Sequence, residues 1–302
     1  MVTLIGLVRT LAVSSKPLDC LPYQNRKTVV FRNGWTLNLT FSQFRDLRDS
    51  YNSLKKYDLK QVDNDLFEAD FRDFKITSKL QMICVVADFL ERYQIKVENE
   101  VFRIKGPNFE LEGTSSMLPV FRELLLGDYK ASYKDKVVLD IGGFQGESAV
   151  YFWSSGAKKI IVYEPISEYC AFIKKNIDLN RINAEIHQSG IGNEDTIMVT
   201  EVFEPNWKVG SKPKKESIKI TKIIDVINQS GADIAKIDCE GAETCLNAVP
   251  DEILRKIPCY MLELHGEDVR KSVTSKFVSA GFKVTKTKIC GDGLSIVYFH
   301  TR

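Results

Sequence analysis

Several features that would assign this chain to a simple class are scarce or missing. Only three histidines are present, and the 42 basic and 40 acidic side chains nearly cancel. Because the formal net charge is only +2, no global field would draw the protein to nucleic acid or to an anionic membrane, and any basic site must be local. No run of about 18 uncharged apolar residues occurs, which excludes a spanning helix.

Cysteine pairs typical of zinc ribbons and disulfide scaffolds are also missing. The seven cysteines are an odd number, and no two are spaced as CxxC. In a chain of 302 residues, this pattern predicts reduced thiols and a cytoplasmic setting. The apolar segment 1–15 is interrupted by Arg9 and has no basic region ahead of it. It therefore favours an amphipathic helix packed on the protein body over a secretion signal, with peripheral membrane contact as the alternative.

Length and composition predict a two-domain globular protein. The apolar fraction of 44% and the charged fraction of 27% are ordinary values for globular chains, and about 150 residues form one domain on average. The pattern changes near residue 130. We therefore expect an N-terminal α+β module over residues 1–130 that helps shape a substrate pocket, and a second domain over residues 131–302.

Mixed elements are predicted for the first 130 residues. Residues 28–31 and 36–39 form a predicted hairpin, because Asn33-Gly34 favours a tight turn. Ser42 is the predicted cap of a helix, and a second helix is predicted over residues 78–93. Residues 97–104 are expected to form one strand. A further helix over residues 117–126 is expected to end at Gly127.

Strand and helix patterns alternate strictly after residue 130. Predicted strands cover residues 136–141, 159–163, 184–188, 233–237, 259–264, 283–287 and 295–300. Helices are predicted after four of these strands, so the sheet is expected to be mostly parallel and covered on both faces. The last two strands read as a hairpin that adds an antiparallel edge. The predicted fold class is a doubly wound, Rossmann-like α/β domain.

The first strand of this domain leads into a glycine-rich loop, VVLDIGGFQG. Asp140 lies at the strand end, and Gly142, Gly143 and Gly146 follow it without the GxGxxG spacing of nicotinamide-binding loops. Glu164 ends the next strand, 24 residues after Asp140, where a carboxylate can accept hydrogen bonds from ribose hydroxyls. This pattern predicts S-adenosylmethionine as the cofactor. The alternative is that the glycines merely close a turn and the acid caps a helix.

The region from Val137 to His265 resembles the FkbM family of S-adenosylmethionine-dependent methyltransferases. The specific pieces are YEP, KNIDLN and KIDCEGAE, whereas residues 1 to about 110 carry little of the resemblance. The resemblance implies a class I methyltransferase fold with sheet order 3-2-1-4-5-7-6, and methyl transfer, often to a hydroxyl oxygen of a sugar or natural product. It departs at Gly143, where the family usually has alanine, and we expect this change to be mild.

Candidate catalytic groups follow the fourth and fifth strands. Asp238 and Glu240 are predicted to lie beside the methionine end of the cofactor and the reacting centre, with His265 as the general base. Glu263 and His265 lie two residues apart on one strand and so face the same side. The alternatives are that Asp238 and Glu240 cap the next helix and that His265 is merely hydrogen-bonded.

Metal and partner predictions complete the sequence analysis. A divalent metal at Asp238, Glu240 and His265 is conceivable, but the expected metal content is none. Six lysines between Trp207 and Lys222 predict an exposed loop that either is merely solvated or closes over an anionic acceptor. The expected acceptor is a small molecule or glycan. The alternatives are a nucleic acid, bound through the lysine loop, and a non-catalytic subunit that only binds the cofactor.

Overall fold

The computed structural model describes residues 27–31, 33–202, 214–291 and 293–301. The predictions for residues 1–15, Cys20, Lys208 and Lys212 fall outside these ranges. The chain divides into two compact units, Met1–Gly106 and Pro107–Arg302. Among the described residues, no helix combines the length and the apolar character needed to cross a membrane. The six described cysteines are all free thiols.

The first unit contains short antiparallel strands and two helices within its described part. Its elements are β1 (Lys27–Val30), β2 (Thr36–Leu39), α1 (Phe41–Leu54), β3 (Asp58–Gln61), β4 (Phe67–Asp70), β5 (Lys75–Ser78), α2 (Leu80–Leu90), β6 (Gln94–Glu98) and β7 (Val101–Lys105). β1 pairs with β2, so the predicted hairpin is confirmed. β3, β4 and β5 form a three-stranded sheet, and β6 pairs with β7.

Two predictions for this unit are wrong in detail. Helix α1 is capped by Thr40 and not by Ser42: the Thr40 hydroxyl accepts the Gln43 N–H, and the Gln43 side chain accepts the Thr40 N–H. This reciprocal pair is a capping box. Residues 97–104 are not one strand, because Asn99 and Glu100 adopt positive φ angles of 50° and 65°. These left-handed residues turn the chain between β6 and β7.

In the second unit strands alternate with helices, apart from the consecutive strands β11–β14 and the final pair β17 and β18. Its elements are β8 (Glu110–Thr114), α3 (Met117–Leu126), β9 (Val137–Ile141), α4 (Glu147–Ser154), β10 (Lys159–Tyr163), α5 (Ser167–Asn180), β11 (Ala184–His187), β12 (Gly190–Gly192), β13 (Thr196–Val202), β14 (Lys214–Lys222), α6 (Ile223–Ser230), β15 (Ile234–Ile237), a 3₁₀ helix (Ala242–Ala248), α7 (Asp251–Leu254), β16 (Cys259–His265), α8 (Glu267–Ser279), β17 (Phe282–Gly291) and β18 (Leu294–Thr301). Helix α3 ends at Gly127, whose φ of 93° makes it the predicted cap.

A seven-stranded sheet organises this unit. Its strand order is β11-β10-β9-β15-β16-β18-β17. The first five strands are parallel, and β18 pairs antiparallel with both β16 and β17. Counted along the chain, this is the order 3-2-1-4-5-7-6, so the predicted doubly wound α/β fold is confirmed. The order reverses between β9 and β15, where a crevice for ligands is expected at the carboxyl ends of the strands.

The lysine-rich stretch is not an exposed loop over its whole length. Residues Lys214–Lys222 form β14, which pairs antiparallel with β13 and parallel with β12. Ile218 and Ile220 are buried on one face of the strand, because apolar residues alternate with polar ones at the two-residue period of a strand. The prediction of a loop is therefore wrong for residues 214–222, and residues 203–213 lie outside the described ranges.

Side-chain amides of α5 hold β8 in place within the second unit. Asn176 lies within the KNIDLN segment of α5 and is fully buried. Its Oδ1 accepts the Glu112 N–H at 2.7 Å, and its Nδ2 donates to the carbonyls of Glu112 and Gln145, both at 2.8 Å. Asn180 likewise binds the backbone of Glu110. These bonds tie residues 110–114 to the second unit, whereas the sequence analysis placed the boundary near residue 130.

Candidate active site

Three glycines of the loop after β9 allow close packing of neighbouring elements. Gly142 has a φ of 83°, and a Cβ atom there would lie 1.7 Å from the backbone oxygen of Asp238. At Gly143, a Cβ atom would lie 2.3 Å from Val162 Cγ1. Gly146 also has a positive φ, of 90°. Alanine at position 143 would require Val162 to move in this chain, and the expectation that the departure from the FkbM pattern is mild stays a prediction.

Asp140 lies inside the fold and not at an open edge. It is the penultimate residue of β9, and its side chain is fully buried. Ser148 Oγ donates to Asp140 Oδ2 over 2.5 Å, and Lys236 Nζ lies 3.4 Å from Oδ1. Burial raises the pKa of Asp140, and Lys236 opposes that rise. The cation that Asp140 faces is a lysine of the same chain, so any effect on a ligand passes through Lys236 and Ser148.

Lys236 is a site residue that the sequence analysis missed. It lies on β15, and only 5% of its side chain is exposed. Its Nζ donates to the Gly142 carbonyl at 2.6 Å and lies 3.5 Å from Asp238 Oδ2. Burial alone would lower the pKa of Lys236, but Asp140 and Asp238 outweigh burial and raise it. The available signal was a lysine inside the otherwise apolar strand IAKI, where an unpaired charge would be costly.

Glu164 follows β10 and is 5% exposed. Its Oε2 accepts the Phe144 N–H at 3.0 Å, and its Oε1 accepts the Ile166 N–H at 2.9 Å. Burial raises the pKa of Glu164 to about 7. Each carboxylate oxygen carries two lone pairs, so after these backbone contacts each oxygen keeps one acceptor position. Glu164 thus links the glycine loop to the end of the second strand.

Asp238, Glu263 and His265 come together at the carboxyl edge of the sheet. Asp238 follows β15, and the other two residues end β16. One donor atom from each of the three lies within 4.8 Å of the others, and all three side chains are partly exposed. The sequence analysis placed candidate catalytic groups at the ends of these two strands, with Glu263 and His265 facing the same side. The set has the composition of a divalent-metal site.

The turn after Asp238 is held by Glu243. This side chain is fully buried, and its carboxylate accepts the N–H groups of Cys239 and Gly241, each at 3.0 Å. No side chain caps the 3₁₀ helix, so helix capping is not what places Asp238 and Glu240. Glu240 has a φ of 52°, and 87% of its side chain is exposed.

His265 is held between two carboxylates. Its Nδ1 lies 3.2 Å from Glu243 Oε1, and its Nε2 lies 3.4 Å from Glu240 Oε2. The hydrogen bond to Glu243 raises the pKa of His265 to about 9. At neutral pH the imidazole is therefore a cation. A quarter of its side chain, 25%, is exposed, so the ring reaches the edge of the site.

Glu263 is oriented by a buried tyrosine. The Tyr129 hydroxyl donates a hydrogen bond to Glu263 Oε2, and Tyr129 is only 3% exposed. Burial, reinforced by Asp238, raises the pKa of Glu263. Tyr129 is a second residue that the sequence analysis missed. Tyr129 lies in the segment that connects α3 to β9, and nothing in its sequence spacing indicates a contact with β16.

Comparison with known proteins identifies no family. The chain matches no family model and no curated protein. Among solved structures, it is similar to a proposed SAM-dependent methyltransferase from Streptococcus mutans, with a TM-score of 0.49, 11% identity and coverage of 100% of this chain and 99% of the other. Fibrillarin from Aeropyrum pernix, in complex with S-adenosyl-L-methionine, gives a TM-score of 0.40, 10% identity and coverage of 68% and 97%. At TM-scores below 0.5, these similarities carry no functional conclusion for this chain.

Proposed function

We propose that this chain is an S-adenosylmethionine-dependent methyltransferase of the FkbM type that methylates a hydroxyl oxygen of a sugar-like or other small acceptor. The observation that carries the proposal is the position of the two acids Glu164 and Asp238. Both follow parallel strands of a 3-2-1-4-5-7-6 sheet and flank the glycine loop. The resemblance of residues 137–265 to the FkbM family supports the same activity.

The chemistry of the site fits this cofactor. Glu164 keeps one acceptor position on each carboxylate oxygen, which suits the two ribose hydroxyls. Asp238 is partly exposed, with 23% of its side chain accessible, and a carboxylate there suits the amino group of the methionine end. Backbone groups of Gly142 and Gly143 would lie along the cofactor. Asp140 would act indirectly, through Lys236 and Ser148.

Methyl transfer to a hydroxyl needs correct placement and removal of one proton. The bound sulfonium supplies an activated methyl group, so the protein needs no covalent nucleophile. Asp238 and Glu240 would orient the reacting centre, and a base would accept the hydroxyl proton as the methyl arrives. His265 is the proposed base. Because the pKa of His265 is raised to about 9, only the fraction of molecules with a neutral His265 ring can accept this proton.

Charge at the edge of the site favours a neutral acceptor. Glu240 is highly exposed, and Asp238 and Glu263 are partly exposed, whereas Lys236 is buried. An incoming phosphate would meet these carboxylates, and like charges in proximity are unfavourable. The cationic His265 beside them already faces Glu240 and Glu243. The exposed lysines of β14 are the feature that would instead favour nucleic acid.

Calorimetry and product analysis test this proposal directly. We expect the full chain to bind S-adenosylmethionine and to transfer its isotope-labelled methyl group to members of a panel of neutral glycans and polyhydroxylated small molecules, each gaining the mass of one methylene. Lipids and RNAs in the same panel act as comparisons. Labelling confined to RNA, with binding that weakens steeply as salt rises, would contradict the sugar-like acceptor. No binding of S-adenosylmethionine would contradict the proposal as a whole.

Removal of divalent metals should leave turnover unchanged. The donors of Asp238, Glu263 and His265 lie close enough for a metal, but cations already face them. Lys236 lies beside Asp238, and His265 is itself charged and occupied on both ring nitrogens. The measurement is turnover after exhaustive treatment with a chelator, compared with the same sample after addition of Mg²⁺ or Mn²⁺. Loss of activity that either ion restores would show that these three residues hold a metal.

A further inference from the structure

Lys236 joins three parts of the second unit at one buried ammonium group. Its Nζ donates to the Gly142 carbonyl at 2.6 Å, and it lies 3.4 Å from Asp140 Oδ1 and 3.5 Å from Asp238 Oδ2. It also lies 5.9 Å from the centroid of the Tyr129 ring. The loop after β9, the interior of β9 and the end of β15 therefore share one cation.

The hydrogen bond to Gly142 fixes the glycine loop where the space is smallest. Gly142 approaches Asp238 so closely that a Cβ atom would lie 1.7 Å from the Asp238 carbonyl oxygen. The Lys236 ammonium group supplies the donor to Gly142 and the opposite charge to Asp238.

Asp140 by itself does not hold the Gly142 loop and Asp238 in place. Its side chain is fully buried, its Oδ1 has no hydrogen-bond partner among the described residues, and the contact of that atom with Lys236 is a longer ion pair of 3.4 Å. A buried carboxylate of this kind needs a cation nearby. The pair of Asp140 and Lys236 is therefore an internal charge pair, and the remaining donor capacity of the ammonium group is directed at Gly142 and Asp238.

We propose that Lys236 is a positioning residue of the cofactor site, whose ammonium group holds the Gly142 loop and the Asp238 carboxylate in the arrangement that binds the cationic methyl donor. The inference rests on the proposed function for the identity of the ligand. It assigns Lys236 no contact with the cofactor, because only 5% of its side chain is exposed. Its effect passes through Gly142 and Asp238.

Lys236→Met removes the charge and keeps an unbranched side chain of similar length. We expect the dissociation constant for S-adenosylmethionine to rise roughly 10–100-fold, as is usual when a buried group loses its charged hydrogen-bond partner. The matched control is Lys159→Met, a strand lysine paired with Glu185, which should leave affinity within about twofold, as expected for a surface ion pair. Affinity of Lys236→Met within a few-fold of wild type would overturn the proposal.

A measurement without cofactor separates this inference from the proposed function. Hydrogen exchange of the loop amides at residues 142–146 should become faster in Lys236→Met, while exchange in the control variant stays as in wild type. If wild type fails to bind S-adenosylmethionine, the proposed function fails, and this exchange experiment still tests the hold of Lys236 on the loop. Unchanged loop exchange would overturn the inference, whatever the binding result.

A double variant covers the case in which Lys236→Met does not fold. Asp140→Asn combined with Lys236→Met removes the buried charge pair as a unit, which is far less costly than leaving one charge alone. We expect the double variant to fold but to bind S-adenosylmethionine more weakly than wild type, because Gly142 and Asp238 still lack the Lys236 ammonium group. Recovery of wild-type affinity in the double variant would show that Lys236 only neutralises Asp140.

Discussion

His265→Asn should lower turnover by about 10²–10⁴-fold, the range expected when a general base is lost, while cofactor affinity stays nearly unchanged. Asparagine retains a polar side chain that can face Glu243, but it cannot accept the hydroxyl proton. The measurements are kcat from methyl transfer and the dissociation constant for S-adenosylmethionine from calorimetry. The matched control is His300→Asn on β18, whose exposed ring lies 2.9 Å from the Thr285 hydroxyl through Nδ1, and turnover should be retained.

The pH profile of wild type gives the same prediction a second test. Only the neutral imidazole can accept a proton, and the hydrogen bond to Glu243 raises the pKa of His265 to about 9. Turnover should therefore increase with pH and reach half its maximum near pH 9, and this rise should vanish in His265→Asn. A rise centred well below pH 9 that persists in the variant would assign the base to Glu263, whose pKa burial and Asp238 raise.

Glu164→Gln should weaken binding of S-adenosylmethionine by about 10²-fold or more. The reason is that the two proposed hydrogen bonds from the Glu164 carboxylate to the ribose hydroxyls are charge-assisted, and each such bond contributes roughly 1.5–3 kcal/mol. Glutamine keeps the size of the side chain and one acceptor oxygen, but its NH₂ group would oppose the N–H of Phe144 or Ile166. Glu164→Ala should weaken binding at least as strongly. Calorimetry measures both, with circular dichroism to verify the fold.

The ionisation of Glu164 adds a pH dependence to this result. Because burial raises the pKa of Glu164 to about 7, wild-type affinity should fall as pH drops below 7, and Glu164→Gln should lose that dependence. Glu185→Gln is the matched control: it lies on the neighbouring strand β11 and its side chain is 54% exposed. Undiminished affinity in Glu164→Gln, with the fold intact, would contradict the ribose assignment.

The framework of the second unit could be predicted because each strand and helix carries its own periodic signal. The run VVLDI, the run KIIVY and the final pair of strands each gave the element that the structure contains, and their alternation predicted the parallel sheet. Residues 214–222 were misread because lysines dominate the segment, although Ile218 and Ile220 keep a strand period. The prediction relied on the lysine content of the segment, whereas the two-residue period of its buried isoleucines indicated the strand correctly.

Side-chain contacts between distant residues explain most of what the sequence left unpredicted at the site. The convergence of Asp238 with Glu263 and His265 followed from strand ends at one sheet edge. The hydrogen bond from Tyr129 to Glu263 joins two residues that are 134 positions apart in the sequence, and no local sequence pattern predicts it. Asp140 was predicted as part of the cofactor pattern, and its buried carboxylate faces the amine of Lys236, because adjacent parallel strands place these two residues in register.

The amide contacts of β8 determine where a shortened chain can begin. Asn176 and Gln145 are fully buried, and their partners include the backbone of Glu112 and Thr114. A chain starting at residue 131 would lose these hydrogen bonds, each of which contributes about 0.5–1.5 kcal/mol net, and would expose the two buried amides to water. A chain starting at residue 107 keeps every one of these partners. A fragment that keeps these contacts therefore starts at residue 107, 30 residues before the first strand of the seven-stranded sheet begins at Val137.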